Sequence, residues 1–237
     1  SLGKLVLSRR LSVRADQPVP LAKLFPSLQD KFANCTLLAM NFGGASLVAA
    51  TPERLFRVRS GKVEVDALAG TVAADDAAPQ PQMQQFEHAP VVRAIRQALA
   101  PLCGQVEYEE RPRRMLVDNL QHLWTPVRGR LRNKVSLFQL LDGLHPTPAV
   151  GGVPTARACE WIRCRESWRG WYTGGFGWVG DNREGDLAVL LRCALVDGRD
   201  AELFAGAGIT SVSNAADELE ETRMKLDVML GALRGNG

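Results

Sequence analysis

The pattern of apolar and polar positions predicts many short strands, several of them in hairpins. Runs of apolar and β-branched residues are separated by short turn sequences, which is typical of antiparallel strands. Gly43-Gly44 separates one pair of runs and Ser60-Gly61-Lys62 separates the next, so each pair predicts a hairpin. The segments predicted as strands are 5–13, 36–41, 45–50, 55–58, 63–68, 176–179, 187–195 and 202–204.

Four helices are predicted where apolar residues recur at helical spacing. The first predicted helix begins after Pro90, and the other three span 136–144, 156–165 and about 215–233. The Pro-rich segment 73–84 is predicted as a loop. The apolar stripe of the last helix consists of Leu219, Leu226, Leu230 and Leu233. Strands and helices without regular alternation indicate an α+β fold, with mostly antiparallel sheets and helices packed outside. Because no convincing linker is visible, residues 1–237 are predicted to form a single domain.

The composition is that of an ordinary globular protein, with 46% hydrophobic residues and a net charge of +3. The densest basic group, Arg111 to Arg114, lies beside two glutamates, so a nucleic-acid-binding face is not expected. The five cysteines have no metal or redox spacing, which predicts free thiols and a reducing, cytoplasmic location. Apolar stretches are too short to span a membrane, and no leader is expected before the first strand.

The last predicted helix carries the most informative charges. At about 100° per residue, Glu218, Glu221 and Lys225 fall on one face beside the apolar stripe. A solvated Glu–Lys pair is the ordinary interpretation of this spacing, and such a pair contributes only about 0.2–0.5 kcal/mol. The spacing by itself therefore does not distinguish a surface pair from a functional site.

Glycine-bearing turns and histidines are the other candidates for chemistry. Four segments are interpreted as tight turns, which either present backbone N–H groups to an anion or serve only to reverse the chain. These segments are Ala69-Gly70-Thr71, Gly151-Gly152, Thr173-Gly174-Gly175 and Gly206-Ala207-Gly208. His88, His122 and His145 lack metal-ligand spacing and a nucleophile partner, so each is predicted to be a polar core residue or to support a neighbouring site residue.

Eight short segments, in order along the whole chain, form a distinctive set. They are Lys4–Arg9, Thr51–Leu55, Ala67–Thr71, Leu144–Gly152, Arg169–Gly174, Leu191–Ala194, Phe204–Ile209 and Glu218–Lys225. They resemble motifs of the chorismate-utilising enzymes, among them “KVVLSR”, “SPERL”, “LAGT”, “LHPTPAVGG”, “FAGAGI” and “E(x)xET(x)xK”. The chain is thus identified as a member of that family, most similar to its magnesium-dependent isochorismate synthases.

The resemblance implies a substrate, a metal and a set of ligands. The substrate would be chorismate, a dianion, and Mg²⁺ would be held by Glu87 and Glu221 with Glu218 in support. The enolpyruvyl carboxylate would be received by Arg192 and Tyr172. The other substrate-binding positions implied by the resemblance are Ala69, Gly70, Thr71, His145, Ala149, Gly206, Ala207, Gly208 and Lys225.

The resemblance also implies the reaction. Lys4 matches the family's base and Glu53 its acid, as required for adding water at ring carbon 2 and expelling hydroxide from carbon 4. A free lysine titrates at about 10.4, so the pKa of Lys4 is expected to be lowered by burial. Ala69 stands where aminodeoxychorismate synthases carry a lysine, and Ala149 stands where amino-adding and lyase members tend to carry threonine. These choices favour isochorismate formation, feeding a quinone or siderophore pathway.

Two alternatives remain open, together with several departures from the family pattern. A salicylate synthase would add pyruvate elimination, and a non-catalytic remnant would only bind chorismate-like anions. The family's catalytic domain normally extends upstream of the first strand, the segment before Glu87 is short, and Pro90 interrupts a helix that is usually continuous. The expected partner is the small-molecule substrate alone. The expected state is a monomer without nucleic acid, membrane or a glutamine amidotransferase subunit.

Overall fold

The computed structural model of the chain describes residues 1–74, 84–117, 120–166 and 168–234, with only the backbone of residues 84 and 85. The strands are β1 Lys4–Arg14, β2 Thr36–Asn41, β3 Ala45–Thr51, β4 Arg54–Arg59, β5 Lys62–Ala73, β6 Cys103–Tyr108, β7 Arg113–Val117, β8 Leu120–Leu131, β9 Gly152–Val153, β10 Gly175–Val179, β11 Gly185–Val189, β12 Cys193–Asp197 and β13 Asp200–Thr210. The helices are α1 Leu21–Lys31, α2 Ala89–Leu99, α3 Leu137–Leu144, α4 Thr155–Arg165 and α5 Ala215–Leu233, and a π-helical turn, Gln84–His88, leads into α2. None of the helices in these ranges is long and apolar enough to cross a membrane.

The strands form two antiparallel sheets. One has six strands in the order β2-β3-β12-β13-β1-β9, and the other has seven, with β7 and β6 both paired to β8 at the end of β10-β11-β4-β5-β8. Alternate residues of β3 and β13 enter two different apolar clusters, so the six-stranded sheet is buried on both faces. Helices α1 and α5 cover its outer face, while α2 and α3 pack with the inner faces of both sheets. The predicted α+β class is confirmed.

The chain passes directly between the sheets at two short connections, here called the two crossings. The first is Pro52-Glu53, between β3 and β4, and the second is Leu190–Arg192, between β11 and β12. They lie side by side, because Val189 N donates to Glu53 O at 3.0 Å and Ala50 N donates to Arg192 O at 3.1 Å. The crossings therefore bring one acidic and one basic side chain from distant parts of the sequence to the same place.

Most predicted elements are present with nearly the predicted bounds. Both hairpins form, and helices occupy the segments predicted after Pro90, at 136–144 and 156–165, and at the end of the chain. The capping box of α3 explains its sharp start, because Ser136 Oγ accepts from Gln139 N and Gln139 Oε1 accepts from Ser136 N. The predicted loop 73–84 lies largely outside the described residues. All five cysteines are free, although Cys164 is exposed.

Four predictions about local structure are wrong, each for a physical reason. Segment 187–195 is two strands in different sheets, because the chain turns at Arg192, where φ is +47°. Gly206-Ala207-Gly208 lies within β13, and Ala69-Gly70-Thr71 forms a bulge in β5 opposite β8, so neither is a turn. Leu219 is 58% exposed, because the buried face of α5 begins one turn later.

Other elements were not predicted. Helix α1 contains Pro26 and follows a Pro-rich stretch, which disguises it as a loop. Strands β6 and β7 each contain a single buried residue, and β8 includes Pro126, a residue that is rare inside strands, so the strand signal of all three is weak. Their absence from the prediction matters, because β8 contributes a histidine to the candidate site.

Candidate active site

A polar cavity lies where the two crossings meet β1, β13 and α5. Its walls combine two lysines, one arginine, three glutamates and a histidine with small and apolar residues. Free space inside amounts to about 60 Å³, enough for a few water molecules. The charged and polar side chains of the wall are Lys4, Glu53, Thr71, Glu87, His122, Tyr172, Arg192, Glu221 and Lys225.

Lys4 enters the cavity from the first position of β1. It is only 4% exposed, and burial lowers the pKa of its ammonium group, an effect that Glu87 opposes and Lys225 reinforces. Its Nζ lies 3.4 Å from the backbone oxygen of Glu87. A lowered pKa shifts a lysine towards its neutral amine form, and such an amine can accept a proton.

Glu53 occupies the first crossing and is 3% exposed. Burial, followed by the nearby carboxylate of Asp66, raises the pKa of the Glu53 carboxyl to about 8. Asp66 is itself fixed, because Trp124 Nε1 donates to its Oδ1 at 2.9 Å. Glu53 is therefore largely protonated at neutral pH and can donate a proton.

Arg192, on the second crossing, is a buried cation held by neutral partners. Its Nη2 lies 3.1 Å from His122 Nε2, and His122 Nδ1 lies 3.1 Å from Thr71 Oγ1. Burial and the positive charge of Arg192 keep the pKa of His122 well below its usual range, so the neutral ring accepts from Arg192 and donates to Thr71. Among the described residues, no carboxylate lies within ion-pair distance of Arg192, and its Nε has no partner. A buried guanidinium in this state is suited to binding an anion.

Two glycines of β13 make room for the side chains above them. A Cβ atom on Gly208 would lie 2.6 Å from Lys4 Cε, and one on Gly206 would lie 2.8 Å from Tyr172 Oη. Gly206 and Gly208 face Ser8 and Val6 of β1, whose N–H groups bond elsewhere, to Glu166 and to Gly151. These are therefore non-hydrogen-bonded pairs, and the N–H groups of both glycines point away from β1.

A group of carboxylates lies opposite the arginine. Glu221 forms an ion pair with Lys225, whose Nζ also donates to Gly206 O at 2.9 Å. Burial raises the pKa of Glu87 to about 7; the charge of Lys4 opposes this rise, and the charges of Glu221 and Glu218 contribute to it. This mutual repulsion is what a bound divalent cation would relieve.

The donor set fits Mg²⁺ rather than a metal that needs many protein ligands. In the described ranges no three acidic, histidine or cysteine residues form a ready-made metal cluster. Mg²⁺ is usually held by only one or two carboxylates and keeps water or substrate oxygens at its other positions. Glu87 and Glu221 supply that number of hard oxygen donors.

The cavity brings together most, but not all, of the residues singled out from the sequence. Ala69, Gly70, Thr71, Ala149, Tyr172, Gly206 and Gly208 line it with the charged groups. Three do not: His145 lines a separate depression beside α2, Ala207 points to the opposite face of β13, and Glu218 influences the site only through its charge. His122 was not assigned to the site from the sequence, because β8 itself was not predicted.

With this geometry in place, comparison with known proteins gives the family. A model of the chorismate binding enzyme family matches residues 1–234, and the chain belongs to that family. The resemblance noted from the sequence motifs is thereby confirmed.

Individual relatives show which members of the family the chain resembles. The chain is 36% identical to isochorismate synthase MenF of Bacillus subtilis over 98% of its own length. It is 39% identical, over 99% of its length, to the salicylate biosynthesis isochorismate synthase of Pseudomonas aeruginosa. It spans only 52% of each of these relatives. Menaquinone-specific isochorismate synthase MenF of Escherichia coli superimposes with a TM-score of 0.85 at 30% identity, over 98% of this chain and 56% of that one.

Proposed function

We propose that this chain catalyses isochorismate formation, adding water at ring carbon 2 of chorismate and releasing the hydroxyl group of carbon 4. The observation that carries the proposal is a buried lysine with a lowered pKa and a buried glutamic acid with a raised pKa in one cavity. The two shifts favour the neutral amine of Lys4, which can act as a base, and the protonated carboxyl of Glu53, which can act as an acid. The relatives named above are isochorismate synthases, which supports the same reaction.

The proposed steps use these two groups in turn. The Lys4 amine accepts a proton from the attacking water, whose oxygen bonds to carbon 2 while the two ring double bonds shift and the displaced electron pair breaks the bond from carbon 4 to its hydroxyl group. Glu53 donates its proton to the hydroxyl group leaving carbon 4, which departs as water. Because the two sheets share the crossings that carry this chemistry, we also infer that residues 1–237 act as one catalytic domain.

Substrate recognition follows from the charges. We assign the enolpyruvyl carboxylate to Arg192, Tyr172 and the outward N–H groups of Gly206 and Gly208, with Lys225 adding positive charge. Planar guanidinium and backbone donors are well matched to a carboxylate. Glu87 and Glu221 would hold Mg²⁺, which when bound supplies positive charge to the ring carboxylate.

Product analysis tests the proposal directly. Purified protein is incubated with chorismate and saturating Mg²⁺, and the products are separated by chromatography. Isochorismate alone is the expected result. If the protein alone forms salicylate and pyruvate, the proposal is wrong and the protein is a salicylate synthase. No turnover of any kind would leave a non-catalytic chorismate-binding protein.

Glu221→Gln is expected to weaken Mg²⁺ binding at least about tenfold, because an anionic oxygen ligand is exchanged for a neutral one. Mg²⁺ affinity is measured by titration calorimetry, so the result does not depend on turnover. Glu220→Gln is the matched control, since Glu220 lies one position away and pairs only with exposed Arg223. Equal Mg²⁺ affinity in the two variants would mean that Glu221 forms only a surface-type pair with Lys225.

Ala149→Thr is expected to release some salicylate and pyruvate while total turnover falls. Ala149 lines the cavity, so a threonine hydroxyl there could hydrogen-bond the bound intermediate and change its orientation. Ala149→Val is the control, because it adds the same volume without the hydroxyl group. If the wild type already makes salicylate at the level of the threonine variant, Ala149 does not determine the product.

A further inference from the structure

A second groove, of about 930 Å³, lies away from the candidate site on the outer face of the seven-stranded sheet. Strands β4, β5, β8 and β6 form its floor, and long charged side chains form its walls. In the described part of the chain, the helices that contact this sheet pack against its inner face. The groove is therefore an open, charged sheet surface for which the proposed reaction has no use.

One row of side chains across this face is electrically balanced. The strand register places Arg57 opposite Glu64, Glu64 opposite Arg128, and Arg128 opposite Glu107. Arg128 Nε lies 2.6 Å from Glu64 Oε2. Alternating charges at directly opposed positions stabilise an antiparallel sheet.

The next row along the same strands is not balanced. Arg59 lies opposite Lys62, and Lys62 lies opposite Arg130, so three exposed cations face one another directly. Beyond Arg130, the irregular part of β6 offers only Gly104 and Gln105. We call Arg59, Lys62 and Arg130 the cationic row. No carboxylate of the described residues lies within ion-pair distance of it.

Like charges at directly opposed positions destabilise a sheet, and a bound anion would remove that cost. The strands are about 4.8 Å apart, so the three cations of the row are concentrated on adjacent strands, where a segment with several carboxylates would meet more than one of them. Arg132, also in the groove, extends the positive surface along β8. Arg130 joins Arg59 and Lys62 only through the pairing of β8 with β5, which is why the sequence predicted no basic face.

We propose that the cationic row docks an acidic segment of a partner polypeptide. The balanced row beside it favours a polypeptide over a nucleic acid as the ligand. Glu64 and Glu107 lie in the same groove and would repel a continuous phosphate backbone. A polypeptide can place acidic residues over the cationic row and neutral or basic residues over the glutamates.

Fluorescence anisotropy with labelled hexaglutamate at low ionic strength tests the docking surface. The wild-type protein is expected to bind the peptide. The triple variant Arg59→Glu, Lys62→Glu and Arg130→Glu is expected to bind at least about tenfold more weakly, since three attractive charges become repulsive. Chorismate turnover is expected to be unchanged, because none of the three residues lines the candidate site.

A second triple variant controls for net charge. Lys23, Arg157 and Arg163 are exposed residues on α1 and α4, and their replacement by glutamate changes the net charge equally. This variant is expected to bind hexaglutamate like the wild type. Equal losses in both triple variants, or no binding by the wild type at millimolar peptide, would overturn the proposal. Tighter binding of hexathymidylate than of hexaglutamate would overturn it in favour of a nucleic-acid site.

A stability measurement provides an independent readout. Lys62→Glu gives the cationic row the same alternation as the balanced row, so it is expected to raise Tm by about 1–3 °C while weakening peptide binding. Lys62→Gln removes the charge without reversing it, so its Tm and its affinity for the peptide are expected to lie between those of the wild type and of Lys62→Glu. A lower Tm for Lys62→Glu would contradict the electrostatic argument on which the docking surface depends.

Discussion

Lys4→Ala is expected to lower kcat for isochorismate formation by about 10²- to 10⁴-fold, with a much smaller change in chorismate affinity. In the proposed mechanism the lysine acts on water during the chemical step, whereas Arg192 and the glycine N–H groups assigned to the substrate carboxylate remain in place. Stopped assays of turnover and calorimetric titration with a chorismate-like dianion measure the two quantities separately.

Lys4→Met controls for packing, since the methionine side chain retains most of the volume that lies over Gly208. Both variants are expected to lose turnover similarly. Added ethylamine is expected to restore part of the activity of Lys4→Ala, where it has room to bind, and not of Lys4→Met. A Lys4→Ala protein whose only defect is weaker substrate binding would show that the lysine is an electrostatic anchor.

Glu53→Gln is expected to lower kcat by a similar factor of about 10²- to 10⁴-fold, because the amide keeps the shape of the side chain but donates no proton to the leaving hydroxyl. The pH dependence gives a more specific test. Glu53 must be protonated to act, and its pKa is about 8, so wild-type kcat/KM is expected to fall as the pH rises above about 8. The residual activity of Glu53→Gln is expected to lack that alkaline decline.

Asp66→Asn provides the matched comparison for Glu53. The Asp66 carboxylate helps to raise the pKa of Glu53, so its neutralisation is expected to lower that pKa. The alkaline decline should then begin at a lower pH, while activity on the acid side is retained. An unchanged alkaline limb in both the Asp66→Asn and the Glu53→Gln proteins would assign that limb to another group.

The sequence predicted the elements that depend on local pattern and missed those that depend on long-range contacts. Hairpins around Gly43-Gly44 and Ser60-Gly61 are encoded by adjacent residues and are present. By contrast, Gly206 and Gly208 have the composition of a turn but lie inside β13. They have no side chain because Tyr172 and Lys4 lie directly over them. No local signal in the sequence reports that crowding.

The candidate site likewise has features that the sequence predicted and features that only the fold supplies. Family motifs named Lys4, Glu53 and Arg192, but the chemical states of these groups arise from burial and neighbours that only the fold supplies. His122 belongs to β8, a strand that the apolar pattern did not predict, so nothing in the sequence placed it against Arg192. Likewise, strand register alone aligns the cationic row from segments about 70 positions apart.

The two crossings also affect which parts of the site can move. Opening either one would break hydrogen bonds in both sheets at once, so the free energy of such a local opening approaches that of global unfolding. Glu53 and Arg192 are thus held on backbone that is hydrogen-bonded between the two sheets. Glu87 and Glu221 project from a π-helical turn and from α5, at the margin of the sheets. Any enlargement of the small cavity to admit a substrate would therefore come from movement of the elements that carry Glu87 and Glu221, while Glu53 and Arg192 keep their positions.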